Sequence, residues 1–105
     1  MNEQKNVILN VLLTYDISEK NTEVKNALKQ EPFNYREEWA LSDKKPQILP
    51  ETTLWKPSTT SRQALADIQS LISNLNSQNG WNIILERCVT VDFATAAGIP
   101  GIDFK

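Results

Sequence analysis

No histidine occurs in the 105 residues, and Cys88 is the single cysteine. Without imidazole and with one thiol, one chain cannot assemble the usual zinc sites or a histidine-based triad. An intrachain disulfide is excluded as well, and a reducing cytoplasm is the expected compartment. Acid–base or metal chemistry within one chain would have to rest on carboxylates, tyrosine or lysine. Net charge is scarce too: 11 Lys and Arg against 13 Asp and Glu leave −2, with an isoelectric point near 5.1. That balance argues against holding nucleic acid by bulk electrostatics, although a local patch could still do so. No apolar run is long enough to span a bilayer and no charged, apolar, small-residue leader stands at the start, so no membrane association is expected. A chain of this size buries one core, and residues 1–105 read as one domain with 94–105, including Gly98 and Gly101, as a C-terminal tail.

What is present is organised around one stretch. Residues 7–16, Val-Ile-Leu-Asn-Val-Leu-Leu-Thr-Tyr-Asp, contain no Gly or Pro. Read with a period of two, Val7, Leu9, Val11, Leu13 and Tyr15 share one face. Ile8, Asn10, Leu12, Thr14 and Asp16 share the other, which is still half apolar. A run apolar on both faces predicts an interior strand, with Asp16 emerging at its C-terminal end. Beyond a turn rich in Ser, Asn and Thr, Val24, Ala27 and Leu28 recur at helical spacing, and Pro32 closes that helix. Residues 33–42 alternate, Tyr35, Glu37, Trp39 and Leu41 against Arg36, Glu38 and Ala40, which predicts a second strand nearer an edge. Residues 42–51, with Pro46 and Pro50, read as a loop, and 52–56 as a short third strand stopped by Pro57. Ala64, Leu65, Ile68, Leu71, Ile72 and Leu75 then form the clearest helical stripe in the chain. Ser58, Thr59, Thr60 and Ser61 offer caps before it and Gly80 a positive φ after it. Residues 81–93 read as the fourth strand, with Ile83, Leu85, Val89, Val91 and Phe93 on one face and Arg87 as the misfit.

The order strand, helix, strand, strand, helix, strand predicts an α/β (α+β) ferredoxin-like βαββαβ sandwich: a four-stranded antiparallel sheet with two helices on one face. Right-handed crossovers place the first and third strands in the centre. If the Val7–Tyr15 stripe covers the helices, Ile8, Leu12 and Ile84 stay on the open face, and the opposite choice uncovers an even more apolar one. Such a surface is larger than a soluble monomer usually carries. A second sheet stacked on it, as in a homodimer, is the simplest cure.

At this point the residues resemble a family. Leu13-Thr14-Tyr15-Asp16-Ile17-Ser18 resembles the first-strand signature of the small dimeric nuclease-like proteins of CRISPR adaptation. Thr52-Thr53-Leu54-Trp55-Lys56-Pro57-Ser58 is similar to the third strand of their stand-alone relatives. The likeness covers most of residues 7–93 by element order, and two short stretches by sequence. It implies a ferredoxin-like homodimer with Asp16 of each chain near the two-fold axis. It also implies a metal-dependent endonuclease in which Asp16 is both the catalytic residue and the Mg²⁺ ligand, or a structural dimer that does not use that carboxylate. Two facing carboxylates can hold Mg²⁺ with several waters, one of which attacks a phosphodiester. The basic surface expected of a DNA-clamping dimer is missing here, Glu37 and Glu38 stand in the second strand, and the Gly-Ile-Pro-Gly tail has no assigned counterpart.

Each candidate residue also has a plainer reading. Asp16 is a routine turn residue, able to accept backbone N–H groups near Ser18. Tyr15, Trp39, Trp55, Trp81 and Phe93 are of the type that stacks bases on a sheet, but interleaved basic residues are few, and core or dimer packing is the first expectation. Glu37 and Glu38 point to opposite faces, so at most one could join a metal site. Arg87 can pair with Glu37 or Asp16, or extend its head to water. Cys88 is most simply a small buried apolar group. Two functions follow: a metal-dependent nuclease or nucleic-acid-binding protein centred on Asp16, and a non-catalytic dimeric adaptor or regulatory protein on the same scaffold.

Overall fold

A computed structural model describes residues 9–39 and 46–93. The expected start of the first strand, Ala40 and Leu41 of the second, and the tail lie outside the described residues. Along the chain come β1 (Asn10–Ile17), α1 (Asn21–Lys29), β2 (Glu38–Trp39), β3 (Gln47–Ile48), β4 (Thr53–Lys56), α2 (Ser61–Asn79) and β5 (Leu85–Phe93). The architecture is mixed α+β, with two helices, a three-stranded sheet of order β4-β1-β5 and a two-stranded sheet of β2 and β3. Both neighbours run antiparallel to β1. No helix among the described residues is long and apolar enough to cross a membrane.

The period-two stripe of the first strand decides which side is core. Val11, Leu13, Tyr15 and Ile17 are buried, and with Val24 and Leu28 of α1 and Ala64, Ile68, Leu71 and Ile72 of α2 they form one cluster, joined by Tyr35, Leu54 and Ile83. Burying each large aliphatic side chain stabilises the fold by about 1.5–3 kcal/mol relative to exposure. The long helix α2 starts where Thr60 Oγ1 accepts the Gln63 N–H at 3.1 Å. It ends at Gly80, whose φ of 69° suits a residue without Cβ. Its first turn contains no acidic residue. A carboxylate comes from the sheet instead: Asp92 accepts the Ser61 N–H at 2.6 Å and the Ser61 hydroxyl at 3.2 Å. The Thr90 hydroxyl donates to the Ser61 carbonyl at 2.9 Å, so two β5 side chains seat the helix start.

The stretch expected to form the second strand is the largest departure. Asn34 takes a left-handed φ of 56°, which breaks an extended run. Tyr35 turns into the core, its N–H bonded to the Leu28 carbonyl at 2.8 Å. Arg36 makes an isolated antiparallel bridge to Trp55, and among the described residues of this stretch the strand is Glu38–Trp39. Its partner, Gln47–Ile48, falls in the segment expected to be a loop. Glu37 is held by α1, with Lys25 at 3.2 Å and Lys29 at 2.8 Å. Hydrogen bonds from Lys29 and then Lys25 keep its carboxyl below the ordinary carboxylate range. With Glu37 held by the helix, the described part of this segment pairs with the main sheet through the Arg36 bridge alone.

The last strand begins later than expected and is shifted once. Ile83 is tied to the Asn76 side chain rather than to a ladder: its N–H donates to Asn76 Oδ1 at 2.8 Å and its carbonyl accepts from Nδ2 at 3.0 Å. A register shift then separates the pair Asp16–Arg87 from Ile17–Leu85, leaving Glu86 as an extra residue. Leu85 therefore lies opposite buried Ile17, while Arg87, Val89, Val91 and Phe93 lie on the other face. Period-two alternation through residues 81–93 places all of them on one side; the extra residue at Glu86 separates them.

Candidate functional site: the open sheet face

Residues paired directly across an antiparallel ladder share a face. The face away from the helices thus carries Asn10, Leu12, Thr14 and Asp16 of β1, Thr53 and Trp55 of β4, and Arg87, Val89, Val91 and Phe93 of β5. Val89 is 56 % and Val91 48 % exposed. The Trp55 and Phe93 rings stand 6.4 Å apart in a tilted arrangement, and the Arg36 guanidinium sits 5.1 Å from the Trp55 ring centre. Thr53 and Thr14 meet hydroxyl to hydroxyl at 3.3 Å. An apolar strip with polar ends results.

At one end of that strip Asp16 Oδ2 lies 2.7 Å from Arg87 Nη2, with 46 % of the aspartate side chain and 81 % of the arginine side chain exposed. A pair this exposed contributes little to stability, on the order of 0–1 kcal/mol. Its effect is local: the carboxylate is neutralised and oriented by a cation on its own sheet. A recess of about 350 Å³ beside it is lined by Thr14, Asp16, Thr52, Arg87 and Val89, among others.

Among the described residues of one chain, Asp16 accepts no backbone N–H from the turn that follows it. The turn after Ile17 is closed without it, by Ser18 N–H to the Ile84 carbonyl at 3.0 Å and Ile84 N–H to Ser18 Oγ at 2.8 Å. Among the described residues no three histidine, cysteine or carboxylate side chains gather in a metal-holding group. Of the partners expected for Arg87, Asp16 is the one it meets. Glu37 belongs to α1's lysines, and Glu38 is exposed on the small hairpin.

The five aromatics separate. Trp55 and Phe93 are on the open face, whereas Tyr15 is core. Trp39 lines a groove of about 630 Å³ with Trp55, Arg36 and Pro46. Trp81 packs against the core and receives the Lys20 ammonium 4.5 Å from its ring centre. The structure adds Asp92 and Thr90, whose roles across the sheet depend on a register that periodicity alone does not give.

The buried tyrosines set a pH limit. Burial pushes the Tyr15 hydroxyl up to about 12, with the Glu51 charge adding to it. Tyr35 is also raised, first by burial and then by its hydrogen bond to Asp67 and the Asp67 charge; that bond is 2.9 Å long. Burial likewise raises the Cys88 thiol, the direction opposite to an activated nucleophile. For Tyr15 the unfolded chain ionises near the ordinary value of 10 while the folded chain holds its proton to about 12. Its stability contribution is complete below the former and is lost as pH rises toward the latter, and Tyr35 acts in the same direction. A tyrosinate absorbance titration should therefore show both tyrosines ionising together with alkaline unfolding, and not before it.

No family model, curated protein or solved structure matches the chain.

Proposed function

We propose that the chain is a non-catalytic homodimeric adaptor or regulatory module on a ferredoxin-like scaffold, using its sheet as the binding surface. The observation that carries this is the Asp16–Arg87 pair at 2.7 Å. A metal ligand must present its lone pairs to the cation, and here one carboxylate oxygen is already engaged by a guanidinium. Mg²⁺ would have to bind the other oxygen beside a guanidinium whose charge repels it, or displace Arg87. The scaffold reading is supported by the antiparallel order β5-β1-β4 and by the Arg36 bridge on the outer side of Trp55, where a fourth strand would lie. The dimer reading is supported by the exposed valines of β5.

The competing reading, a metal-dependent nuclease centred on Asp16, is favoured by the half-exposed position of that residue at the end of the central strand, beside a recess. Cleavage of RNA and DNA with Mg²⁺ or Mn²⁺, comparing the native chain with Asp16→Asn, separates the two. No cleavage by either protein is expected. Cleavage by the native chain that Asp16→Asn abolishes would overturn the proposal and establish the nuclease.

A further inference from the structure

β5 is the outer strand of the three-stranded sheet, and among the described residues no strand pairs with its far edge. The direction of its backbone groups can be derived. The Tyr15 N–H donates to the Thr52 carbonyl at 3.1 Å, toward the β4 side. Strand backbone groups alternate sides, so Val11, Leu13 and Tyr15 direct theirs at β4 and Leu12, Thr14 and Asp16 direct theirs at β5. Their partners Val91, Val89 and Arg87 point back at β1. Cys88, Thr90 and Asp92 therefore present N–H and C=O to the free edge.

We infer that a second copy of this chain pairs with this edge, β5 to β5 and antiparallel, with Thr90 on the two-fold axis. The inference rests on the homodimer reading and specifies its interface. In this register the outward backbone groups of Thr90 face those of Thr90 in the second copy, and Cys88 faces Asp92 on either side, so every outward group from 88 to 92 finds a partner. The intervening positions, where side chains approach most closely, set Val89 against Val91 and Arg87 against Phe93. The first pairing packs the exposed valines of the two copies side by side, and the second lays a guanidinium beside an aromatic ring. Centring the pair on Val89 would instead oppose Glu86 and Asp92, and centring it on Asp92 would oppose two carboxylates; like charges directly opposite are destabilising. The edge is nine residues long, Leu85–Phe93, contains neither lysine nor proline, and has its bulge at Glu86, outside the paired stretch 87–93. Pairing yields a continuous six-stranded sheet whose two open faces join into one surface.

Two variants test the edge. Thr90→Pro removes an outward N–H, together with the hydroxyl bonded to the Ser61 carbonyl, while leaving the backbone bonds to β1 intact, at a position where proline is tolerated in an edge strand. Mixing Val89→Cys chains with Val91→Cys chains, both in a Cys88→Ser background, brings cysteines to opposing positions about 4.5 Å apart at Cα, within disulfide reach. The expected results are a native dimer, a monomeric Thr90→Pro, and oxidative cross-linking in the mixture but in neither variant alone. A monomeric native chain would overturn both this inference and the homodimer reading. A native dimer whose mass survives Thr90→Pro and whose cysteine mixture does not cross-link would overturn the edge pairing alone. If Thr90→Pro fails to fold, the cysteine mixture decides.

Discussion

Asn76→Ala is expected to lower the unfolding free energy by about 2–4 kcal/mol, because two buried backbone groups lose their partners at once. Asn76 brackets Ile83, accepting its N–H at 2.8 Å and donating to its carbonyl at 3.0 Å, and Ile83 is only 4 % exposed. The side chain thus does for Ile83 what a neighbouring strand does elsewhere, and it joins the last turns of α2 to the approach of β5. Asn79→Ala is the control. Asn79 makes one exposed bond, to the Leu75 carbonyl at 3.0 Å, and its loss should stay within roughly 0.5 kcal/mol. Asn76→Asp should also destabilise, since a carboxylate can accept the Ile83 N–H but cannot donate to its carbonyl. Urea unfolding midpoints of the three variants test the bracket; equal midpoints for Asn76→Ala and Asn79→Ala would remove it from the account.

The second large effect distinguishes the faces of β1. Leu13→Ala should cost about 2–5 kcal/mol, the lost transfer energy plus the cavity left behind. Leu13 is fully buried beneath the helices. Leu12, one residue away and partly buried on the opposite face, has fewer neighbours to lose, and Leu12→Ala should cost less than about 1 kcal/mol in the monomer. Comparable losses at both positions would mean that the two faces of the strand are equally packed.

The face assignment of β1 and the helix α2 are legible because each has a clean period, two for Val11–Leu13–Tyr15 and a helical stripe for Ala64–Ile68–Leu71–Ile72. Gly80 and Thr60 are legible too, since capping chemistry is local. The second strand, expected over 33–42, is realised only in part among the described residues, because alternation in residues 33–39 has two sources. Tyr35 is buried in the core, Glu37 is bound to lysines on α1, and Asn34 interrupts the run with a left-handed backbone. Pattern alone does not separate a strand from such a coincidence. The extra residue at Glu86 is likewise silent in the sequence, yet it moves Leu85 to the core side and Arg87 to the open face, where Arg87 meets Asp16. That meeting decides how the candidate site is read: a carboxylate that looks available for a metal in the sequence stands against a guanidinium in the fold. Asp92 and Thr90 act on Ser61 from a distant strand, and no spacing rule connects them.

These observations converge on the sheet. One face is sealed by two helices; the other carries Trp55, Phe93 and two exposed valines, with the Asp16–Arg87 pair at its end. The outer edge of β5 presents unpaired backbone groups among the described residues. A second copy satisfies that edge, packs the valines of the two copies side by side and widens the open face for a partner without requiring any chemistry of Asp16.

Sedimentation equilibrium of the native chain at micromolar concentration is the most direct test. The expected mass is twice the 11.9 kDa of one chain, falling to that of the single chain in Thr90→Pro. A native mass of one chain across the concentration range would contradict it.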